Sequence, residues 1–357
     1  MRARARKTQN KWLHRLLLPS WVTTVGSKHK TIPIFVPHWG CPCDCLFCDQ
    51  KKITGACEEM TPERAALIIE EGIRHKQDGD YLEIGFFGGS FTGIPAPQQE
   101  ALLALAYEKR LSGQVDGIRL STRPDYINET VLKRLLSFGV TTVELGAQSM
   151  DDMVLSINRR GHSAEQTRQA ARAICEYGIG LGLQMMIGLP GDSFEKTMQT
   201  AEEFALLSPD CVRIYPTLVI RDTGLSTLYK EGRYEPLSVE EAVRQCSQLY
   251  RFYTKRNIEV IRMGLLDMNP ADIVAGPFHP AFGELVLSDV CYENLREKMI
   301  SVTTDKISIR VHPRFVSILC GQKRKNMERL QKEFSLKKIQ ILQDEAMESG
   351  TFVLQDI

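Results

Sequence analysis

From residue 31 to about residue 264, short runs of apolar and β-branched residues alternate with longer stretches whose apolar positions recur at helical spacing. The runs Thr31–Val36, Leu82–Phe87, Gly117–Thr122, Thr141–Gly146, Gly180–Ile187 and Cys211–Val219 predict six strands. The stretches between them carry helix signals: Thr61-Pro62-Glu63 ahead of one, Asn128 ahead of Glu129–Phe138, and Ser163 ahead of Ala164–Tyr177. Gly139 and Gly178 follow two of these segments, where a helix commonly ends in a left-handed residue. Alternating strands and helices of this kind build a parallel sheet, so the expectation is an α/β fold, a partial (β/α)6 barrel. The segments that carry candidate chemistry fall just after strands, at the rim where such sheets bind ligands.

Beyond Gly264 the pattern changes. Pro270, Gly276, Pro277, Pro280 and Gly283 suggest a loop-rich connection over 265–299. A second, smaller α+β pattern follows: strand Ile307–Val311, helix Arg314–Cys320, loop Gly321–Arg324, helix Lys325–Phe334, strand Lys338–Leu342. The expected organisation is therefore a basic extension over 1–30, a barrel over 31–264, the connection, and a C-terminal segment over 300–357.

Composition narrows the class without naming a partner. With 43% hydrophobic and 25% charged residues and a formal net charge of +1 over 357 residues, the chain has the balance of a water-soluble globular protein. No apolar run approaches the roughly 18–20 residues of a membrane span, and Leu16–Leu18 is too short for a signal-peptide core. A cytoplasmic protein with no membrane partner is expected. The distribution of charge says more than its sum: eight Lys and Arg and no acid precede Asp44, and residues 306–338 hold ten Lys and Arg against Glu328 and Glu333. The N-terminal Arg2, Arg4, Arg6, Lys7, Lys11 and Arg15 could form a nucleic-acid arm or lie upstream of the working domain.

Of ten cysteines, six are scattered and four crowd between positions 41 and 48, a pattern that points to metal in a reducing compartment rather than to disulfides. Cys41, Cys45 and Cys48 give a C-x3-C-x2-C frame, and thiolates so spaced in a loop can hold three corners of a [4Fe–4S] cluster, leaving the fourth iron open. The competing assignment is a closed zinc site completed by Cys43. One β/α unit later, Gly88 and Gly89 end a strand ahead of Ser90, and paired glycines let backbone approach a ligand closely.

These pieces together resemble the radical S-adenosylmethionine enzymes, whose glycine motif binds the amino group of the methionine moiety. The runs Gly85–Pro95, Ser121–Tyr126, Gly146–Ser149, Asn158–His162, Met185–Pro190 and Arg213–Leu225 resemble the radical domain of the Elongator catalytic subunit, across residues 31 to about 235. More distantly the chain is similar to oxygen-independent coproporphyrinogen dehydrogenase, and Phe47, Gly88, Gly89, Ser121, Gln148, Arg160 and Gln184 fall where that family contacts its cofactor. The resemblance implies S-adenosylmethionine as second cofactor, with Phe47 beside adenine, Gln148 and Gln184 on ribose hydroxyls and Arg160 on the methionine carboxylate. It also implies reduction by a donor such as flavodoxin or ferredoxin. Three departures stand out: the first two cysteines are farther apart in the Elongator family, and the coproporphyrinogen family has tyrosine where this chain has Phe35 and an acid where it has Gln184.

The C-terminal order resembles a KH domain, whose GXXG loop clamps nucleic-acid backbone; Gly321 stands at the first glycine and Arg324 at the second. Lys323, Arg324 and Lys325 would offer cations at a helix N-terminus, a place already suited to phosphate. The expected function is reductive cleavage of S-adenosylmethionine to a 5′-deoxyadenosyl radical that modifies RNA, at a tRNA uridine. A small-molecule or porphyrin substrate is the alternative, and an RNA-binding protein with a structural cluster a further one. The residues after the barrel are too few for the acetyltransferase domain of the Elongator subunit, so acetyl-CoA-dependent transfer is not expected of this polypeptide.

Overall fold

The computed structural model describes residues 12–15, 29–36, 41, 45–49, 52–53, 60–264, 268–300 and 302–357. The cysteine at position 43 and most of the candidate N-terminal arm lie outside them. The chain divides into two units, Thr24–Phe282 and a discontinuous one made of Met1–Thr23 with Gly283–Ile357.

The described residues contain thirteen strands, in chain order: β1 Trp12–Arg15, β2 His29–Val36, β3 Tyr81–Gly88, β4 Gly117–Thr122, β5 Thr142–Gln148, β6 Gly180–Ile187, β7 Cys211–Pro216, β8 Val219–Ile220, β9 Glu259–Met263, β10 Ile273–Ala275, β11 Lys306–Val311, β12 Lys338–Gln343 and β13 Thr351–Asp356. In the larger unit, β2-β3-β4-β5-β6-β7-β9 form one half-barrel sheet in which every neighbouring pair is parallel. The sheet thus has seven strands rather than the six expected; the seventh, β9, follows the helix Val239–Thr254.

The helix signals act as read. Thr61, Asn128 and Ser163 accept backbone N–H bonds from Arg64, Val131 and Gln166, and Ser163 and Gln166 close a reciprocal capping box. Each satisfies a donor that the first helical turn cannot pair internally. Along each strand one parity, including Ile84, Leu120, Leu145, Leu183 and Ile214, is buried and apolar. The other parity faces the lumen and mixes the polar Glu83, Arg119, Glu144, Gln184 and Arg213 with glycines and with Phe35, Phe87 and Met186.

In the smaller unit the sheet order is β1-β13-β11-β12, with β11 parallel to β12 and antiparallel to β13. Two parts of it differ from expectation. The supposed connection over 265–299 contains the eighteen-residue helix Phe282–Met299, with Val286, Leu287, Val290, Cys291 and Leu295 buried. Within the supposed N-terminal extension, β1 pairs antiparallel with β13. The helices Val316–Cys320 and Lys325–Glu333 flank Gly321–Arg324 in the predicted order. No helix among the described residues is long and apolar enough to cross a membrane.

Candidate active site at the strand ends

The cysteine loop follows β2 and is pinned on both sides. Leu46 N–H donates to the Asn158 carbonyl at 3.3 Å, and the Leu46 carbonyl accepts from Leu225 N–H at 2.7 Å. A Cβ at Gly224 would lie 2.8 Å from Leu46 Cδ2, so a larger residue at the start of the helix Gly224–Lys230 would push the Leu46 side chain aside. Cys45 and Phe47 are buried with Val154, Leu189, Val219 and Leu225, and Cys48 packs against that cluster. Phe47 is therefore seated mainly in core, with 8% of its surface exposed. Cys41 lies near Cys45 and receives a hydrogen bond from the Ser90 backbone. Among the described residues no three His, Cys, Asp or Glu side chains converge as the ligands of a single metal ion would.

The glycine segment sits directly against the start of this loop. Gly88 has φ +109°, and a Cβ there would stand 2.9 Å from the Val36 carbonyl, which Gly89 N–H in turn binds at 3.0 Å. The Ser90 hydroxyl is buried, bonded to Thr122 Oγ1 at 2.8 Å and accepting from Arg123 N–H at 3.2 Å. Ser90 thus ties the glycine turn to the end of β4 with its side chain and faces Cys41 with its backbone.

At the end of β5 the ladder to β6 loses register between Leu145 and Gln148. The two carbonyls in that gap serve the site: Gly146 O accepts from Arg160 Nη2 at 2.5 Å, and Ala147 O lies 3.2 Å from His162 Nε2. Gln148 itself takes a left-handed conformation, φ +69°. Arg160, between left-handed Arg159 and Gly161, sends Nη1 to Cys45 Sγ at 3.3 Å. Arg123, 3% exposed, is held bidentate by Asp125 at 2.9 Å on both arms. Burial raises the Cys41 thiol pKa, while the Ser90 N–H, Arg123 and Arg160 pull it down. Burial, with Arg160 and Arg123, lowers His162 to about 4, so its ring is neutral and donates from Nε2.

Deeper in the lumen lies a charged floor. Glu83, Arg119, Glu144 and Arg213 alternate in sign across β3, β4, β5 and β7: Arg119 Nε binds Glu83 Oε1 at 2.7 Å, Arg119 Nη1 binds Glu144 Oε1 at 2.9 Å, and Arg213 grips both Glu144 oxygens at 2.6 and 2.9 Å. Despite full burial Glu144 is held ionised, its pKa lowered to about 2 by Arg213 and Arg119. Gln184 lies over this floor, its Nε2 within 3.0 Å of Ser121 Oγ and 2.8 Å of Glu144 Oε2.

The residues predicted for the cluster and the cofactor therefore lie along the lumen and strand ends of one sheet, whereas those predicted for RNA belong to the smaller unit. Of those it missed, Arg123, Asn158, His162 and Arg213 lay inside quoted motifs without a role of their own, whereas Glu144 gave only an isolated charge within a strand. Gln148 Oε1, Asn158 Oδ1, Arg160 Nε and His162 Nδ1 are buried without a hydrogen-bond partner, an unused polar capacity unusual in a finished core. Thiols flanked by two buried guanidinium groups, with spare donors and acceptors beside them, fit an anionic iron–sulfur centre and a charged organic ligand.

The Radical SAM superfamily model matches residues 36–204, and the Radical_SAM C-terminal domain model matches residues 209–290. The chain belongs to the radical SAM superfamily. Enzymes of this superfamily use a [4Fe–4S] cluster and S-adenosylmethionine, so both are its cofactors. It is 29% identical over 254 residues to a tRNA uridine(34) acetyltransferase of Dehalococcoides mccartyi, covering 61% of this chain and 53% of that protein. To the tRNA uridine(34) acetyltransferase of Methanocaldococcus infernus it is 34% identical over 186 residues, covering 51% and 34%. To human Elongator complex protein 3 it is 29% identical over 190 residues, covering 48% and 35%. The chain thus matches about a third to a half of these relatives' length. Its fold is similar to that of the archaeal Elp3 of M. infernus, with a TM-score of 0.58 at 24% identity over 77% of this chain and 64% of that one.

In the smaller unit, Gln322, Lys323, Arg324 and Lys325 are exposed. Lys323 and Arg324 have φ +52° and +61°, so Arg324 takes at the second glycine position of the loop pattern the left-handed conformation that glycine adopts most readily. A Cβ at Gly321 would lie 2.8 Å from Ser288 Oγ, and Asn326 donates to both Ser288 O and Leu319 O, fixing the loop's base.

Proposed function

We infer that this chain modifies uridine in tRNA by radical chemistry. The observation that carries the reading is the likeness to curated tRNA uridine(34) acetyltransferases, which at 254 residues extends beyond a bare cofactor-binding core. The exposed cationic loop Gln322–Lys325 adds support, since cations on a fixed turn suit phosphate. In this reading Cys41, Cys45 and Cys48 hold the cluster, and a small reducing protein such as flavodoxin or ferredoxin supplies the electron. When bound, cluster and S-adenosylmethionine together supply a 5′-deoxyadenosyl radical that abstracts hydrogen.

The chain's own residues do the rest. Gly88 and Gly89 bring backbone up to the ligand, Arg160 and Arg123 offset carboxylate and thiolate charge, and Gln148 and Gln184 meet hydroxyl groups. The test is mass spectrometry of tRNA nucleosides from cells lacking the protein. Loss or accumulation of one uridine derivative is expected, restored by the wild-type chain and not by Cys45→Ala. An unchanged nucleoside profile overturns the reading.

A further inference from the structure

Tyr215 stands on β7 two residues beyond Arg213, on the parity that faces the lumen, and has no part in the cluster or cofactor contacts. The Arg213 guanidinium hydrogen-bonds its phenol oxygen. A guanidinium only donates, so that oxygen accepts and the phenol's own proton points elsewhere. Among the described residues no acceptor takes it. The Glu144 carboxylate, whose charge reaches Tyr215, is already spent: Oε1 accepts from Arg119 and Arg213, and Oε2 from Arg213 and Gln184. Burial raises the phenol pKa, so the proton stays in place at neutral pH.

The same guanidinium also meets an aromatic ring. Its central carbon lies 5.4 Å from the Phe87 centroid, reaching across the lumen from β7 to β3. The Phe87 ring lies over Gly85, where a Cβ would stand 2.5 Å from its Cε2, and Phe35 flanks it with ring centroids 6.4 Å apart. Arg213, itself gripped by Glu144, thus holds a ring and a hydroxyl donor in fixed relation. Phe87 and Tyr215 are both half-buried, so each keeps surface open to a ligand.

Such a pair fits a flat heterocycle with an acceptor on its leading edge. Bases stack on aromatic side chains, and a base entering from the strand ends leads with the edge opposite its sugar. In uracil that edge carries the C4 carbonyl, an acceptor, whereas in cytosine it carries an amino group, a donor. We propose that Phe87 and Tyr215 seat the substrate base, the ring giving it a stacking face and the hydroxyl donating to the uracil C4 oxygen, so that the lumen accepts uracil and rejects cytosine. With cytosine two donors would meet, and the enclosed hydroxyl would be left without an acceptor. The inference rests on the reading that the chain modifies a uridine in RNA.

The test is binding without turnover, on cluster-loaded, unreduced protein saturated with S-adenosylmethionine. The probes are short hairpin RNAs identical except for one loop base: uracil, cytosine, or pyrimidin-2-one, which lacks the C4 oxygen. The wild type should bind the uracil hairpin about tenfold more tightly than either of the others. In Tyr215→Phe that preference should fall to about twofold or less. Phe87→Leu, which keeps apolar bulk but not the ring, should weaken all three hairpins about tenfold and leave the preference intact. Iron content identifies the variants that have folded. Should Tyr215→Phe lose its cluster, the pyrimidin-2-one hairpin on the wild type decides, since it removes the same bond from the ligand's side. A tenfold preference that survives Tyr215→Phe overturns the proposal, as does a wild type that binds uracil and pyrimidin-2-one hairpins equally. Bulk tRNA then separates the causes: tRNA held with no base preference removes Tyr215 and leaves the RNA reading standing, whereas no binding of hairpin or tRNA removes that reading and the proposal with it.

Discussion

Arg160 joins two parts of the site at once: Nη1 lies 3.3 Å from Cys45 Sγ while Nη2 holds the Gly146 carbonyl at 2.5 Å. One guanidinium therefore couples the cysteine loop after β2 to the irregular end of β5, and its buried Nε remains open to a ligand. Arg160→Ala should weaken S-adenosylmethionine binding by about 1.5–3 kcal/mol, roughly one to two decades in affinity, and Gln148→Ala should weaken it as well. Iron content should stay unchanged in both, because the three thiols remain. Titration of the cluster-loaded protein checks this, and equal affinity in wild type and both variants would reject these contacts.

The metal prediction concerns the thiols themselves. Anaerobic reconstitution should give about four irons per chain, and reduction should then yield 5′-deoxyadenosine and methionine. Cys41→Ala, Cys45→Ala and Cys48→Ala should each lose the iron and the cleavage, as should stripping the wild type with a chelator; Cys43→Ala should keep both. Iron assay and product chromatography distinguish the cases, and a cluster that survives Cys45→Ala but not Cys43→Ala would shift the ligand frame.

Gly88→Ala should destabilise the fold by more than about 2 kcal/mol, because a side chain there meets both a disfavoured φ and the Val36 carbonyl at 2.9 Å. Gly79 is the control: its φ is +84° but nothing lies within 4 Å of an added Cβ, so Gly79→Ala should cost only about 1 kcal/mol. Denaturant titration of both variants separates strain from collision.

Much of this was legible in the sequence, and the misses share causes. The first six half-barrel strands announced themselves through β-branched runs, whereas β9 reads Glu-Val-Ile-Arg-Met, too short and too charged to show a period. The helix Phe282–Met299 follows Pro277 and Pro280 and buries residues around much of its circumference, which erases the amphipathic stripe that marks a surface helix. β13 lies beyond Leu342, where the C-terminal pattern offered no further element, and its partners are remote in sequence. The cysteine and glycine motifs were visible because their chemistry depends on local spacing. The roles of Arg119, Glu144 and Arg213 were not: a charge inside a strand looks misplaced until the sheet brings up its counter-ions, for Glu144 from two other strands.

His162 sets the expected pH response. Its pKa is lowered from 6.5 to about 4, so between those values the unfolded chain binds a proton that the folded chain refuses. Its contribution is complete above pH 6.5 and is lost as pH falls toward 4, on the order of 3 kcal/mol in all. His162→Gln should flatten this acid limb, measured as denaturant stability at half-unit steps from pH 7 to 4. An unchanged slope would show that another group governs it.

For the basic loop, changing Lys323, Arg324 and Lys325 together to glutamate should weaken binding of bulk tRNA steeply and reduce its salt dependence by roughly 0.7 log–log units per lost phosphate contact on a single strand. Uncoupled cleavage of S-adenosylmethionine should continue at the wild-type rate. Gel-shift titrations at several salt concentrations decide it; equal affinity and slope for both proteins would remove the loop from RNA capture.

The pairing of β1 with β13 also sets an order of assembly. Residues 12–15 leave the ribosome early but bond with 351–354, which leave it late, and at ordinary synthesis speeds the interval is roughly tens of seconds. The half-barrel, whose strands all come between, has time to fold first, while the small sheet waits for its last strand. A nascent chain stalled before residue 351 would hold β1 unmatched, and the edge of β11 that β13 covers would stay open to any extended segment nearby.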